Sequence, residues 1–287
     1  MNPVNASSLL HFTKTKKALK GILTNGFRFS YCYEEYNEAI IFNNENKEHA
    51  KFFMNNNVTK KGVAIPMICF CDIPLLRTQE HAKCFGKYII GIDKKYVETL
   101  YDRLNPVLYV PSYRMKIALC DISISKDIFN SSNAYNYRQS VNHLIAYSKR
   151  YRGFDLYRNK ETCFYNEREW RIVLEEGDGD DKVPWIWNIE FKSKDEYTKY
   201  IASYNKKLQS SEKAYLRFIK FQEKEDENNF CNFITHIVVR KENQIPELIK
   251  YILNKNNKLF GYENISDRAR KILVSKITSF ERIEKDY

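Results

Sequence analysis

Three apolar segments of this 287-residue chain carry polar side chains that a hydrophobic core would not select. The run Leu9-Leu10-His11-Phe12-Thr13 includes His11 and Thr13. "MICFCD" (67–72) closes on Asp72. "NEREWR" (166–171) sets Glu167, Glu169 and Arg171 two residues apart. On a strand, alternate residues share a face. Glu167, Glu169 and Arg171 are therefore expected to point together, with Trp170 and Ile172 turned into the core. Paired carboxylates beside an arginine suit general-base work or stabilisation of a cationic sugar transition state. The same pattern also describes an edge strand laced with salt bridges, which does no chemistry. The two readings separate on whether His11, Asp72, His81 and Glu169 converge in one pocket.

The elements that must position these residues can be read from periodicity. Residues 7–12 read as a short strand. Thr15 to Leu23 reads as a helix with Ala18, Leu19, Ile22 and Leu23 on one side, ended by Asn25-Gly26. Residues 28–62 are polar and Asn-rich, with a helix expected over 46–56. "VAIPMICFCDIPL" (63–75) is a continuous apolar run and reads as a buried strand. A helix over 77–88, stopped near Gly86, leads to a buried strand "YIIGI" (88–92), and "KKYVETLYDRL" reads as another helix. "NPVLYV" (105–110) is a short strand, and 134–150 has a helical pattern. Residues 163–176 and 183–191 read as strands by their aromatic and β-branched content, and 193–213 as a polar helix. "YLRFIKF" and "FITHIVV" read as strands around an acidic loop, 222–229. "IPELIKYILNK" is an amphipathic helix, and 272–284 is expected to end the fold with a strand. Strands and helices are interspersed without strict alternation, so the expected class is α+β, with mixed, mostly antiparallel sheets and flanking helices. One domain over 1–287 is expected, with an insertion at about 192–229.

Composition narrows the class. The chain is 43% hydrophobic and 15% aromatic, too apolar for a disordered protein. No apolar run approaches the roughly 20 residues that span a bilayer. The start lacks the basic and apolar regions of a signal peptide, so a cytoplasmic protein with no membrane partner is expected. The cysteines fall at 32, 69, 71, 84, 120, 163 and 231, with no CxxC pair. His81 and Cys84 could complete a zinc site with Cys69 and Cys71, but reduced, buried thiols account for them better, and no metal is assigned. The net charge is +11. Basic side chains cluster in residues 1–30 and again in 148–160, the latter interleaved with Tyr151, Phe154 and Tyr157. Such a field fits nucleic acid, a phosphate-bearing small ligand, or a solvated face.

The order of the three segments resembles the ADP-ribosyltransferase fold of the diphtheria-toxin and PARP kind. There a first strand carries a His, a central strand carries an aromatic residue, and a late strand carries a catalytic Glu. "MICFCD" resembles the "GIYFAD" strand of that fold, with Cys69 at the tyrosine position and Phe70 beside it. Phe12 stands where a glycine would follow the histidine. The Glu-x-Glu of "YNEREWR" resembles the motif whose second Glu is essential. A closer resemblance is to the AbiGi-like proteins of bacterial abortive-infection systems. "HFTK", "PMICFCDIPL", "FGKYIIGI", "NPVLY", "YNEREWR" and "ITHIVV" are similar to that family's landmarks, in its order, from about residue 9 to 240.

The family resemblance implies a phage-defence role, with members described as antitoxin-like partners of a toxin. The fold resemblance implies NAD as substrate. Glu169 would then be catalytic, with Glu167 its helper and His11 the third catalytic-site residue. His11 would hold the adenosine ribose and Thr13 a neighbouring polar atom. Arg171, or Lys14 to Lys17, would face the pyrophosphate. Cys69, Phe70 and Asp72 come from the central strand, and His81, Phe85 and Tyr88 would supply stacking. The acceptor would be nucleic acid or a protein side chain. Against this transferase stand a non-catalytic antitoxin that neutralises a cognate partner, and a nucleic-acid-binding protein or nuclease.

Overall fold

The computed structural model describes residues 6–36, 61–95, 104–110, 140, 142–155, 158, 160–174, 184–189, 194–209, 215–216 and 230–285. Fifteen strands lie among them. They are β1 (Ser8–Thr13), β2 (Phe27–Arg28), β3 (Ser30–Tyr36), β4 (Lys61–Cys71) and β5 (Tyr88–Asp93). β6 (Leu104–Pro106), β7 (Leu108–Val110), β8 (Ser148–Arg150), β9 (Arg152–Asp155) and β10 (Lys160–Cys163) follow. The last are β11 (Glu169–Val173), β12 (Ile186–Ile189), β13 (Tyr215–Leu216), β14 (Ile234–Val239) and β15 (Ile277–Ser279).

Nine of them form one sheet in the order β15-β14-β5-β1-β4-β11-β6, with β3 and β12 also paired to β4. All of its pairings are antiparallel except β14 with β15. The fold is α+β, as the interspersed pattern predicts. No helix among the described residues is long and apolar enough to cross a membrane.

β4 is the axis of the sheet because both of its faces are buried. Ala64, Ile68 and Phe70 face the main core, with Leu9, Ile90, Ile172 and Ile237. Val63, Ile65 and Met67 face a second cluster with Ile145, Ala146, Val173 and Trp185. This is why the sequence shows a continuous apolar run there and no alternation. The helix Lys16–Asn25 covers the main core with Leu19, Ile22 and Leu23. Thr15 caps its start, its hydroxyl accepting from the Ala18 amide at 3.1 Å. Gly26 ends it at φ 90°, a conformation open to glycine.

Gly86 ends the helix Gln79–Phe85 at φ 106°. A Cβ there would lie 2.1 Å from the Thr13 carbonyl oxygen. The helix can press its end against β1 only because that atom is missing. Gly86→Ala is expected to lower stability by about 2–3 kcal/mol, adding a left-handed penalty to a backbone clash. A denaturant melt measures this, and a loss below about 0.5 kcal/mol would show that the turn adapts.

Several boundaries differ from the sequence reading. Residues 163–176 are not one strand. Phe164–Glu167 form a 3-10 turn, Arg168 is left-handed, and only Glu169–Val173 are extended. The polar segment after residue 28 contains β3, which pairs with β4 from Ser30↔Met67 to Tyr36↔Lys61. The helical pattern of 134–150 stops before Ser148, where β8 runs parallel to β7. The C-terminal strand is only Ile277–Ser279, between the helices Asp267–Ser275 and Phe280–Lys285. The helix expected over 46–56, most of "KKYVETLYDRL" and the loop 222–229 lie outside the described residues. So does most of "YLRFIKF". Of the expected insertion, the helix Lys194–Gln209 packs Tyr197, Tyr200 and Tyr204 against the main core, and β13 pairs with β2.

Candidate functional site

β1 pairs with β5 along its whole length but meets β4 at a single position, Leu10↔Cys71. Beyond it lies a cleft of about 740 Å³, within the usual range for small-ligand sites. Leu10 to Lys14 line one side, and Cys69, Cys71, Glu167 and Glu169 another. β11 lies on the far side of β4 from β1, with Glu169↔Cys71 and Arg171↔Cys69 in register. His11 and Glu169 therefore come to one cleft from strands flanking β4.

His11 is held by its surroundings. Its ring lies edge-on to Phe27 and Phe70, at 5.2 and 5.7 Å between centroids. Nδ1 is 2.8 Å from the Cys69 carbonyl oxygen. A carbonyl only accepts, so Nδ1 carries the proton. Burial lowers the pKa and the Cys69 bond only partly opposes it. The imidazole is thus neutral at pH 7, with Nε2 left as an acceptor.

The centre of the site is an alternating chain of buried charges. Arg171 is fully buried. Its Nε and Nη2 donate to the two oxygens of Glu169 at 2.8 and 3.0 Å. Nη2 also donates to Glu34, and Nη1 to the Ala146 carbonyl at 2.7 Å. Lys149 Nζ bridges Glu169 and Glu167 at 2.9 and 2.7 Å. Arg158 pairs with the other oxygen of Glu167 at 2.5 Å and with Asp155 at 3.2 Å. The Tyr109 hydroxyl accepts from the Glu169 amide at 2.9 Å.

These partners fix the protonation states. Burial would push the Glu169 carboxyl up, but Arg171 and Lys149 overcome it and hold it far below the usual carboxylate range. Burial works against the charge on Lys149 too, and Glu169 and Glu167 more than offset it, so the ammonium is held well above its ordinary value. Glu169 is a permanent anion and not a group poised to exchange protons near neutrality. Cys69 is pushed up by its bond with Cys32 and by burial, and Cys71 by burial and the Glu169 charge. Neither thiol is a ready nucleophile. Among the described residues, no three His, Cys, Asp or Glu side chains gather closely enough to hold a metal ion.

The left-handed Arg168 explains how both carboxylates reach Lys149. It stands at φ 43°, ψ 50° between the 3-10 turn and β11. That reversal lets Glu167, although outside the strand, meet the same ammonium as Glu169. The Asp72 amide donates to the Arg168 carbonyl at 2.9 Å and ties the turn to the end of β4.

The other sequence candidates fall into two groups. Thr13, Cys69 and Phe85 line the cleft with His11, Glu167 and Glu169. Phe70, Asp72, His81, Tyr88 and Arg171 stand outside its lining. Phe70 is in the main core. Asp72 is buried, with Oδ2 paired to Lys94 at 2.7 Å and Oδ1 without a hydrogen-bond partner. His81 packs near Phe12 and Phe85, and burial lowers its pKa. The Tyr88 hydroxyl accepts from Gln244 at 3.1 Å. Arg171 backs Glu169 from behind.

Sequence reading missed Glu34, Lys149, Arg158 and Tyr109. Lys149 and Arg158 belong to the basic, aromatic-rich segment 148–160, so the signal was present as composition and not as position.

Comparison with known proteins places the chain. The family model described as "Putative abortive phage resistance protein AbiGi, antitoxin" matches residues 31–222. The chain is 26% identical over 267 residues to "Abortive phage resistance protein AbiGi" from Lactococcus lactis subsp. cremoris, covering 85% of this chain and 96% of that protein. No solved structure matches it. The landmarks from "PMICFCDIPL" to "YNEREWR", which build β4, β5 and the charged turn before β11, lie within the matched region, and the chain belongs to the AbiGi family of abortive phage resistance proteins.

Proposed function

We propose that the chain serves phage resistance by binding, as the antitoxin-type member of its system, with the cleft as a rigid charged recognition site. The observation that carries this reading is the neutralisation of both cleft carboxylates. Glu169 is held by Arg171 and Lys149, and Glu167 by Lys149 and Arg158. A carboxylate so compensated is a poor proton shuttle and offers a weakened field to a developing cation. Its worth is shape and charge pattern, which set specificity. The antitoxin description of the family supports the same reading.

The test is deletion of this gene from a host that retains the rest of the system. An antitoxin leaves its partner unopposed, so growth should fall in uninfected cells and recover when the chain is supplied in trans. Normal growth after deletion, with protection against phage lost, would instead mark the chain as the effector.

A second reading rests on one specific observation. His11 and Glu169 line the same cleft on strands that flank β4, the arrangement expected of an ADP-ribosyltransferase-like enzyme. On that reading NAD is the substrate, and Glu169 stabilises the ribosyl cation. Transfer of a tagged ADP-ribose group from NAD to RNA, DNA or lysate protein, lost in Glu169→Gln, would favour it over the antitoxin.

A further inference from the structure

Among the described residues, the exposed large apolar side chains are Leu76, Leu108, Leu144, Tyr165 and Leu253. Leu108, Leu144 and Tyr165 gather where the small β7–β8 sheet meets the 3-10 turn before β11. Leu108 lies opposite Ser148 in register, and its amide donates to the Tyr147 carbonyl at 2.7 Å. The Ser148 hydroxyl donates to the Ile145 carbonyl at 3.1 Å, which ties this strand to the helical residues 142–146 that carry Leu144. Tyr165, on the turn, meets Tyr109 and Tyr151 at 5.4 and 5.6 Å between ring centroids. Tyr109 follows Leu108 on β7, so one short strand joins the apolar and the aromatic groups. Single exposed leucines are ordinary surface, but a gathering of large apolar groups at one rim is not.

Two arginines border the rings. Arg152 is exposed, with its guanidinium over the Tyr151 ring, 5.6 Å from the centroid. Stacking uses the face of a guanidinium and leaves its edge N–H groups for a carboxylate. Arg168 is half-buried on the left-handed link after the turn, and its amide donates to the Tyr165 carbonyl at 3.2 Å. Among the described residues neither guanidinium forms an ion pair. Glu161, exposed on the strand that pairs with β9, forms none with Arg152. Tyrosine and arginine around an apolar centre is the composition of the residues that dominate protein–protein binding. Leucine side chains offer nothing to a phosphate and no face on which a base can stack, so the mixture favours a protein over a nucleic acid.

We infer that this rim docks a protein partner with carboxylates on its contact face. The partner covers Tyr165, Leu108 and Leu144, and its acidic side chains meet Arg152 and Arg168. This rests on the reading of the chain as the binding member of its system. The Tyr109 hydroxyl accepts from the Glu169 amide, so the docked surface adjoins the wall of the cleft.

The test is calorimetric titration of the full chain with the toxin of its own system. Tyr165→Ala should weaken binding about 30-fold or more, as loss of a central aromatic anchor does. Arg152→Glu should weaken it at low salt and by a smaller factor at high salt, where exposed charges are screened. Leu253→Ala, at an exposed leucine on the helix Ile245–Leu253, should leave the affinity unchanged. All three variants should melt within a few degrees of the native chain, because each changes a surface side chain. The parallel titrant is a short single-stranded RNA, which should not bind at this rim.

Undiminished toxin affinity in the double variant Tyr165→Ala, Arg152→Glu would overturn the inference, as would no binding of the toxin by the native chain. RNA binding lost in that double variant while toxin binding persists would assign the rim to nucleic acid instead. Affinity that does not change with salt would overturn the acidic contact face. Growth rescue and titration are separate measurements. A double variant that binds the toxin and restores growth as well as the native chain sinks this inference alone. A toxin that binds through the rim, in a system where deletion leaves growth normal, sinks the antitoxin role alone.

Discussion

Arg171→Leu should destabilise the protein by about 3–5 kcal/mol, the cost of removing one partner from a buried ion pair. The reason is what stays behind. Glu169 would lose two hydrogen bonds and Glu34 its guanidinium partner, while both carboxylates remain buried. The Ala146 carbonyl would lose its donor as well. The leucine adds apolar surface, but a neutral side chain cannot compensate two anions. Chemical denaturation at pH 7 measures the loss. The double variant Arg171→Leu, Glu169→Leu should recover part of it, because one stranded charge is gone. A single-variant loss below about 1 kcal/mol would mean that water reaches the carboxylates, and the buried-network description would fail.

The legibility of this network from sequence was uneven, and the reasons are physical. β4 and β5 announce themselves because burial on both faces demands unbroken apolar runs, "VAIPMICFC" and "YIIGI". The helix Lys16–Asn25 does so through its 3.6-residue period, its Thr15 cap and its Gly26 stop. β3 was hidden because "SYCYEEY" is polar. Its partner strand β4 supplies the apolar surface, and Glu34 is buried by Arg171 and not by hydrophobicity. The C-terminal strand was overestimated because β-branched Ile277 and Thr278 lie between Ile272-Leu273-Val274 and Phe280, apolar residues that belong to the flanking helices.

The site was half legible for a related reason. A carboxylate pair two residues apart can be read from "NERE", but its partners cannot. Lys149 reaches Glu169 across 20 positions, Arg158 reaches Glu167 across 9, and Glu34 reaches Arg171 across 137. Sequence separation is set by topology, which local pattern does not encode. The alternation rule placed Glu169 and Arg171 on one face of β11 correctly. It also placed Glu167 with them, although that residue sits on a 3-10 turn. The left-handed Arg168 carries no glycine to signal the change of direction.

Lys149→Met should make stability depend on pH between about 7 and 5, where the native charge cluster gives no dependence through Glu169. In the native chain Glu169 is held below its unfolded value near 4.3, so its stabilisation is complete above that value and is lost only as pH falls below it. Nothing from this group should change between pH 7 and 5. Without Lys149, the ion pairs that remain to Glu34, Asp155, Glu167 and Glu169 among the described residues come from Arg158 and Arg171. Removing one positive charge from a buried cluster with four carboxylates is expected to raise at least one carboxyl above its unfolded value. A raised group binds its proton more tightly in the folded state, so its folded form is favoured below the folded pKa and disfavoured as pH rises through it. The variant should lose about 3–5 kcal/mol at pH 7, as a broken buried pair does, and regain about 1–2 kcal/mol by pH 5. Denaturant melts at pH 5, 6 and 7 on both proteins measure the two slopes. Parallel slopes would mean that Arg158 and Arg171 suffice for the four carboxylates, and that Lys149 is a bystander in the cleft. Stability that rises toward pH 5 in the variant and not in the native protein would identify Lys149 as the charge that lets Glu167 and Glu169 lie side by side.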